Sequence, residues 1–437
     1  MIVVHCIDRP VKRQRWILYI NYDKLRVHWQ LERTEAPLST HQRIVSGMRP
    51  TGHMHLGHYH GVLKNWVKLQ YEQECLFFAA DLHALTTHYD ETQNISQHTW
   101  DMVVDWLAAG VDPNASKIFI QSHVPQHAEL HLLLSMVTPL SWLERVPTYK
   151  EQIEKLKEKD LTTYGFLGYP VLMSSDVLLY RATHVPVGED QVPHVELTRE
   201  IARHFNHLFG REPDYVEKAE AAITKLGKKS AKLYRSLLKN YQEQGDQEAL
   251  ETGQALLAEQ ANISLSDKER LLGFLEGGGK IILPEPQAAL TEQSKLLGLD
   301  GQKMSKSYKN TVMLRDTPED IEKKIRVMPT DPARVRRTDA GDPEKCPVWQ
   351  WHQTYSDKDT QDWVQQGCRS AGIGCLDCKK PLIEKVQAEV EPMQARAKPF
   401  IDDPSLVRDI VAEGCEAARD LATDTLNDVR EAIGLPE

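Results

Sequence analysis

His55 and His58 stand three residues apart in the stretch Arg43 to Trp66, RIVSGMRPTGHMHLGHYHGVLKNW, a spacing that puts both on one face of a helix. Gly57 between them removes a side chain where a ligand ring could lie flat on the backbone. Far downstream, GQKMSKSYKN from Gly301 to Asn310 sets Lys303 and Lys306 on either side of Ser305. That is a short polar loop with two movable point charges and hydroxyls. It suits a polyphosphate that gains charge while pyrophosphate departs. The histidine pair alone also admits, as the lesser readings, a metal ion or an ordinary polar surface. With the lysine loop, phosphate chemistry becomes the better reading.

The elements that must hold these residues follow from hydrophobic spacing. Ile44 and Val45 read as a short buried strand. The chain then breaks at Ser46, Gly47, Pro50, Thr51 and Gly52, and continues as a helix with Leu56, Tyr59, Leu63 and Trp66 on one stripe. Strand, glycine-rich turn and helix in that order make a phosphate site, because the first helical turn leaves N–H groups unpaired. Leu76 to Thr86 reads as a buried strand followed by a polar loop. Trp100 to Ala109 is helical, Lys117 to Ser122 another strand, and His127 to Val137 helical again. Such alternation implies an α/β fold, a doubly wound parallel sheet over residues 38–212. Ligands bind such sheets where the strand order reverses. The turn after Val45 and the loop after Ala80 are expected there.

At 437 residues two or three domains are expected. The 41% hydrophobic and 27% charged content is that of a soluble globular enzyme. No apolar stretch has bilayer-spanning length and no leader pattern opens the chain, so a cytoplasmic protein without membrane contact is expected. A net charge of −10 argues against non-specific coating of nucleic acid, though a local basic face could still meet an RNA. Seven cysteines are present, and four of them crowd between Cys346 and Cys378. In a cytosolic chain that suggests metal ligation rather than disulfides. Cys346, Cys368, Cys375 and Cys378 form C-x21-C-x6-C-x2-C, a donor set suited to Zn²⁺ or to a [4Fe–4S] cluster. Cys6, Cys75 and Cys415 are spaced singly and read as structural.

The TGHMHLGH segment resembles the HIGH motif of class I aminoacyl-tRNA synthetases, and Lys303 to Ser307 reads KMSKS. Between them, YPVLMSSDVLLY (Tyr169 to Tyr180) and VPVGEDQVPHVELTREIARHFN (Val185 to Asn206) look like the amino-acid and nucleotide segments of the tryptophanyl-tRNA synthetase family. The resemblance runs from about Thr40 to the C-terminus, one insertion apart. It implies L-tryptophan, ATP and tRNA(Trp) as substrates, Mg²⁺ as polyphosphate counter-ion, and a homodimer. A tyrosyl-tRNA synthetase and a non-catalytic, synthetase-like regulator are the alternatives.

Adenylate formation is attack of a carboxylate on the α-phosphate of ATP. The nucleophile is already ionised, so the enzyme must align groups and neutralise phosphates rather than supply a base. By resemblance, Arg49, Pro50, Thr51, Gly57 and His58 line the ATP site, with His55 beside the phosphates. Gly188, Glu189 and Asp190 hold the ribose and adenine side. Lys303, Met304, Ser305, Lys306 and Ser307 close over the pyrophosphate. Asp176 decides the amino acid: an indole N–H donates and accepts nothing, so an ionised carboxylate in an apolar stretch fits it. Phenylalanine would leave that carboxylate unpaired; tyrosine, whose hydroxyl also donates, is harder to exclude. Met173, His83, Val185, Val187 and Gln191 are the other pocket candidates.

A subset of the family's bacterial members looks the same around GCLDCKK, and that likeness implies a [4Fe–4S] cluster ahead of Zn²⁺, with the first gap one residue shorter than the family pattern. Lys379, Lys380, Arg334, Arg336 and Arg337 are placed to meet the anticodon stem or to form a solvated basic face.

Residues 1–37 precede the resemblance and read as upstream sequence that is not native, the rival being a genuine extension with a hairpin near the active site. Residues 213–282 form a helical insertion, expected as three helices: a stripe of Ile223, Leu226, Leu233, Leu237 and Tyr241, a second over Gln247 to Gln260, and a third capped by Ser266 with Glu269. A structural appendage is the main reading; a tRNA contact through Lys225, Lys228, Lys229 and Lys232 is the sharper one. Residues 283–317 return to the KMSKS region. Residues 318–404 are the expected helical anticodon-binding domain, opened by a Thr317 cap before Pro318. Residues 405–437, with Val411, Cys415, Ala418, Ala422, Leu426, Val429 and Ile433 on one stripe, form a helix packing back on the body.

Overall fold

The structure is a computed structural model that describes residues 16–21, 26–31, 42–146, 162–210, 214–290 and 296–435. Its centre is a five-stranded parallel sheet of β3 (Arg43–Met48), β4 (Glu74–Ala79), β5 (Ser116–Ile120), β6 (His184–Val187) and β7 (Gln287–Leu290), in spatial order β5-β4-β3-β6-β7. From β3 the chain builds outward through β4 and β5. It then crosses to the opposite side for β6 and β7, so the order reverses between β3 and β6. A groove opens at the strand C-termini where connections diverge. β4 is buried along Cys75 to Ala79, as a central strand covered on both faces must be.

Two local expectations are corrected. Ser46 and Gly47 belong to β3 rather than to the turn. A Cβ at Gly47 would lie 2.4 Å from the Phe78 ring of neighbouring β4, so glycine keeps the strand while leaving that ring its space. The segment after Ala80 is a helix, Asp81–His88, not a polar loop. With His83, Ala84 and Thr87 buried, packing on the body holds a helix too short to show its period in sequence.

Ahead of the sheet, β1 (Trp16–Asn21) and β2 (Arg26–Leu31) pair antiparallel, Trp16 opposite Leu31. The remainder of 1–37, including Cys6, lies outside the described residues, as does the native start expected just after it. Cys75 and Cys415 are buried and unpaired.

The insertion contains four helices, Tyr215–Lys225, Lys228–Gln244, Gln247–Ala258 and Leu265–Leu275. The single stripe read from Ile223 to Tyr241 is broken at Gly227, whose φ of +81° no helix residue adopts. The last helix is capped two residues earlier than expected: Ser264 accepts from the Asp267 N–H, while Glu269 turns inward to pair with Arg181. Ile223, Tyr234, Leu250, Leu257, Leu271 and Leu275 give these helices a core of their own. Their stems meet where the Lys280 N–H donates to the Gly210 carbonyl at 2.7 Å.

The C-terminal helices share the core of the sheet. Thr317 caps Pro318–Arg326 by accepting from the Asp320 N–H, as expected. The last helix, Pro404–Ile433, lies against edge strand β5 so closely that a Cβ at Gly414 would stand 1.9 Å from the Ile118 carbonyl. Among the described residues no helix is long and apolar enough to cross a membrane.

Candidate active site

The first signature segment turns from β3 into Leu56–His58, continues through a wider π turn at Tyr59–Leu63, and ends as Lys64–Leu69. His55 is the N-cap residue, and its ring stacks on that of His58 with centroids 3.7 Å apart. Burial first, then the charges of His58 and Lys306, push the His55 pKa down to about 3. Burial, then Lys306 and Lys303, push that of His58 down to about 4. Both rings are therefore neutral at physiological pH, able to donate or accept a hydrogen bond without adding charge.

The lysine loop meets this turn directly. Lys306 Nζ donates to the His53 carbonyl at 3.0 Å and to the Thr51 carbonyl. The Gly57 N–H donates to Met304 Sδ at 3.3 Å. The space over Gly57, expected to receive a ligand ring, is occupied here by the loop and by His55: a Cβ at Gly57 would stand 3.0 Å from His55 Nδ1 and 3.2 Å from Met304 Cβ. Lys303 and Ser307 are exposed. Ser305 is tied by its N–H to Asn310 Oδ1 at 2.7 Å, and its hydroxyl lies 2.9 Å from that of Ser307. Asn310 in turn donates to Asp300 and to the Lys303 carbonyl, a brace the sequence reading did not single out.

Beneath the turn, Asp105 accepts from the Met54 N–H at 2.7 Å, and Arg315 Nε stands 2.7 Å from its other oxygen. Asp105 is 1% exposed. It thus anchors the histidine turn and the segment after the lysine loop at once, which no local pattern announces.

Beside this junction a cavity of about 410 Å³ opens at the sheet's C-terminal edge, at the β3/β6 divergence. Met173, Asp176, His83, Val185, Val187 and Gln191 all line it, together with Arg49 and Gly188. Phe166, Tyr169, Phe78 and His194 are among the other wall residues and were not anticipated as site residues. Pro50, Thr51, Glu189 and Asp190 stand outside the lining; the last two are exposed at the 3-10 turn after Gly188. Asp176 is 3% exposed and accepts three hydrogen bonds, from His83 Nε2 at 2.8 Å and from His127 Nδ1 and Gln121 Nε2 at 2.7 Å each. Burial would raise its pKa; His83 and His127 outweigh burial and hold the carboxyl below its usual value.

The four cysteines sit at helix ends. Cys346 precedes Pro347–Tyr355, Cys368 lies in the last turn of Lys358–Arg369, and Cys375 and Cys378 open Cys375–Asp402. They are neighbours: burial, followed by Cys346, Cys368 and Cys375, pushes the Cys378 thiol up to about 12. Arg334 Nη1 lies 3.6 Å from Cys368 Sγ, and His352 Nε2 lies 3.4 Å from Cys378 Sγ. Among the described residues no three His, Cys, Asp or Glu side chains stand ready to hold a metal ion. The quartet is gathered, then, without the closed arrangement that the sequence spacing suggests.

Parallel sheet, histidine turn, lysine loop and adjoining cavity define a nucleotide-dependent ligase of the class I type. A family model described as tRNA synthetases class I (W and Y) matches residues 38–233 and 257–391, and the chain belongs to that family. It is 64% identical over 394 residues to the tryptophan–tRNA ligase of Ralstonia nicotianae, covering 90% of this chain and 98% of that one. With the tryptophan–tRNA ligase of Thermotoga maritima it shares 43% over 395 residues, covering 90% and 99%. The tryptophanyl-tRNA synthetase of Campylobacter jejuni complexed with ADP and tryptophan overlays with a TM-score of 0.66 at 26% identity, covering 90% of this chain and all of the other. The activity of the chain is that of a tryptophan–tRNA ligase.

Proposed function

We propose that the reaction is divided between the cavity and the junction beside it. The indole of L-tryptophan enters the cavity with its N–H toward Asp176, between Met173, Val185 and Val187, with His83 and Gln191 at its polar margin. ATP lies along Arg49, Pro50, Thr51, Gly57 and His58, with Gly188, Glu189 and Asp190 toward the ribose and adenine. His55 and His58 donate as neutral imidazoles to the phosphates, and Lys303 and Lys306, with Met304, Ser305 and Ser307, close over the leaving pyrophosphate. Mg²⁺ shares the polyphosphate charge. The observation that carries this reading is the approach of Lys306 to the Thr51–His53 turn, next to a cavity with one buried carboxylate. A polyphosphate would replace the carbonyls as the lysine's partner, since it offers full rather than partial negative charge.

Amino-acid-dependent ATP–pyrophosphate exchange tests it. Tryptophan supports exchange and tyrosine does not. Asp176→Asn raises the KM for tryptophan at least tenfold with little change in that for ATP, the cost of a hydrogen bond to a charged group being about 1.5–3 kcal/mol. Exchange with tyrosine at a comparable rate would overturn the assignment of the cavity.

The tRNA is expected along the C-terminal helices 318–404, with residues 405–437 bracing them. The insertion at 213–282 is read as an appendage. Cys346, Cys368, Cys375 and Cys378 offer the donor chemistry of a thiolate-held centre, in which the cation would supply the charge that lets the buried Cys378 give up its proton. A Cβ at Gly341 would stand 2.7 Å from Cys368 Sγ, so that thiol lies in a cradle only glycine leaves open. A [4Fe–4S] cluster, with Zn²⁺ as the alternative, would brace or read the anticodon end. Iron and sulfide near four each per chain after anaerobic purification support the cluster; stoichiometric zinc without iron refutes it.

A homodimer formed through the catalytic domain is supported by Leu132, Met136, Leu140 and Tyr164, large and exposed on or beside three helices that pack together. Met136→Asp with Leu140→Asp should yield a monomer in sedimentation equilibrium; an unchanged mass would exclude this face. Cytoplasmic localisation accords with the activity.

A further inference from the structure

Asp176 uses its two oxygens differently. Oδ2 accepts from His83, which lines the cavity. Oδ1 accepts from Gln121 and His127, neither of which lines it. Gln121 and His127 are wholly buried behind the carboxylate. The other nitrogen of His127, Nε2, lies 2.7 Å from the hydroxyl of Tyr180, also wholly buried. An ionised carboxylate only accepts, so Nδ1 of His127 must donate to it, and the ring is held from behind by Tyr180. Phe78 and Phe119 pack against the same imidazole, with centroids 5.8 and 6.0 Å away, and leave it no freedom to turn.

We infer that Tyr180, His127 and Gln121 form a rear clamp that specifies tryptophan over tyrosine. This rests on the reading of Asp176 as the indole acceptor and adds how the carboxylate acquires its selectivity. The clamp fixes Oδ1, so Oδ2 alone faces the ligand. It also engages the nearby donors: His83 and His127 each give a ring hydrogen to Asp176, and Gln121 gives one of its two amide hydrogens. An indole N–H needs only an acceptor, and Oδ2 supplies one. A phenol would donate to Oδ2 as well, but its oxygen carries lone pairs, and His83, the one of these three donors that lines the cavity, has already given its hydrogen to Oδ2. A buried acceptor without a donor is disfavoured, which is the discrimination that the carboxylate alone could not give.

Tyr180→Phe and Gln121→Met test the clamp without touching the ligand, and each conserves shape. Tryptophan dissociation constants by equilibrium dialysis should rise about tenfold in each, the usual effect of one lost hydrogen bond in a charged network. The KM for ATP should stay unchanged, and the preference for tryptophan over tyrosine in exchange should narrow. A second readout is pH. The groups facing Asp176 are His83 from Asp81–His88, His127 and His131 from Gln126–Ser135, Gln121 after β5, and Tyr180 just beyond the end of its own helix, Tyr164–Leu178. Gln121→Met removes a donor to the ionised carboxyl and Tyr180→Phe loosens the imidazole that supplies another, so both raise its pKa; tryptophan binding should fail at higher pH on acidification than in the parent, which a purely structural loss would not produce. Unchanged affinity, selectivity and pH profile in both variants would overturn the clamp. Asp176→Asn separates the levels: if it too leaves tryptophan binding intact, the reading of Asp176 itself falls, whereas weak binding there with normal Tyr180→Phe and Gln121→Met removes only the clamp.

Discussion

The amide of Gly57 donates to the sulfur of Met304 at 3.3 Å, across 247 residues of chain. The lysine loop is therefore seated directly on the histidine turn. The glycine is what allows the approach.

Gly57→Ala should separate the two segments. Its Cβ would be 3.0 Å from the His55 ring and 3.2 Å from Met304, and both neighbours are held. We expect pyrophosphate exchange to fall by roughly one to two orders of magnitude, as for misplaced groups that act by alignment. The melting temperature should move by only a few degrees, about 1–2 kcal/mol of overpacking.

Asp105→Asn should damage the same junction from below. The carboxylate serves the Met54 N–H and Arg315, and the variant removes the nearer of the two counter-charges on Arg315, leaving it Asp101 at 3.7 Å. A loss of about 2–4 kcal/mol is expected in urea unfolding. Exchange should drop as well, because an asparagine that still accepts from the Met54 N–H must turn its NH2 group on Arg315, so the turn carrying His53 and His55 is pinned less firmly. Normal stability would mean that Arg315 finds another partner.

Acid should destabilise the fold through its buried imidazoles. His55 is held down to about 3, and His58, His194 and His352 to about 4, against an ordinary value of 6.5. The unfolded chain takes up protons that the native state refuses, so stability falls as pH drops below about 6.5 and continues to fall toward about 4. Urea midpoints from pH 7 to 4.5 measure the slope, which His55→Gln should flatten. The exchange rate should show no inflection from His55 or His58 between pH 6 and 8.

Gly414→Ala should lift the last helix from β5. A Cβ at 1.9 Å from the Ile118 carbonyl cannot be accommodated by a side-chain adjustment, since backbone meets backbone. About 2–3 kcal/mol of destabilisation is expected, read as a lower melting temperature with retained helical circular dichroism. A neutral substitution would show that the helix is not seated on β5 in solution.

The amino-acid order by itself determined the elements with strong local signals. The alternation of buried strands and helices from Arg43 to Asn206, the cap at Thr317 and the amphipathic stripe ending at Ile433 are written in spacing. Resemblance, not spacing, identified the two signature segments and brought forward the candidates His83, Met173, Asp176, Val185, Val187 and Gln191, which share one cavity. Tertiary structure alone decided what meets what. Gln121 and His127 reach Asp176 across 55 and 49 residues, and Asp105 joins Met54 to Arg315, because hydrogen bonds at that range are set by how strands and helices stack. The helix at Asp81–His88 and the break at Gly227 escaped the sequence for the same reason. Periodicity reports which face of an element is apolar, whereas packing and backbone angles decide where that element stops and which buried donor finds which acceptor.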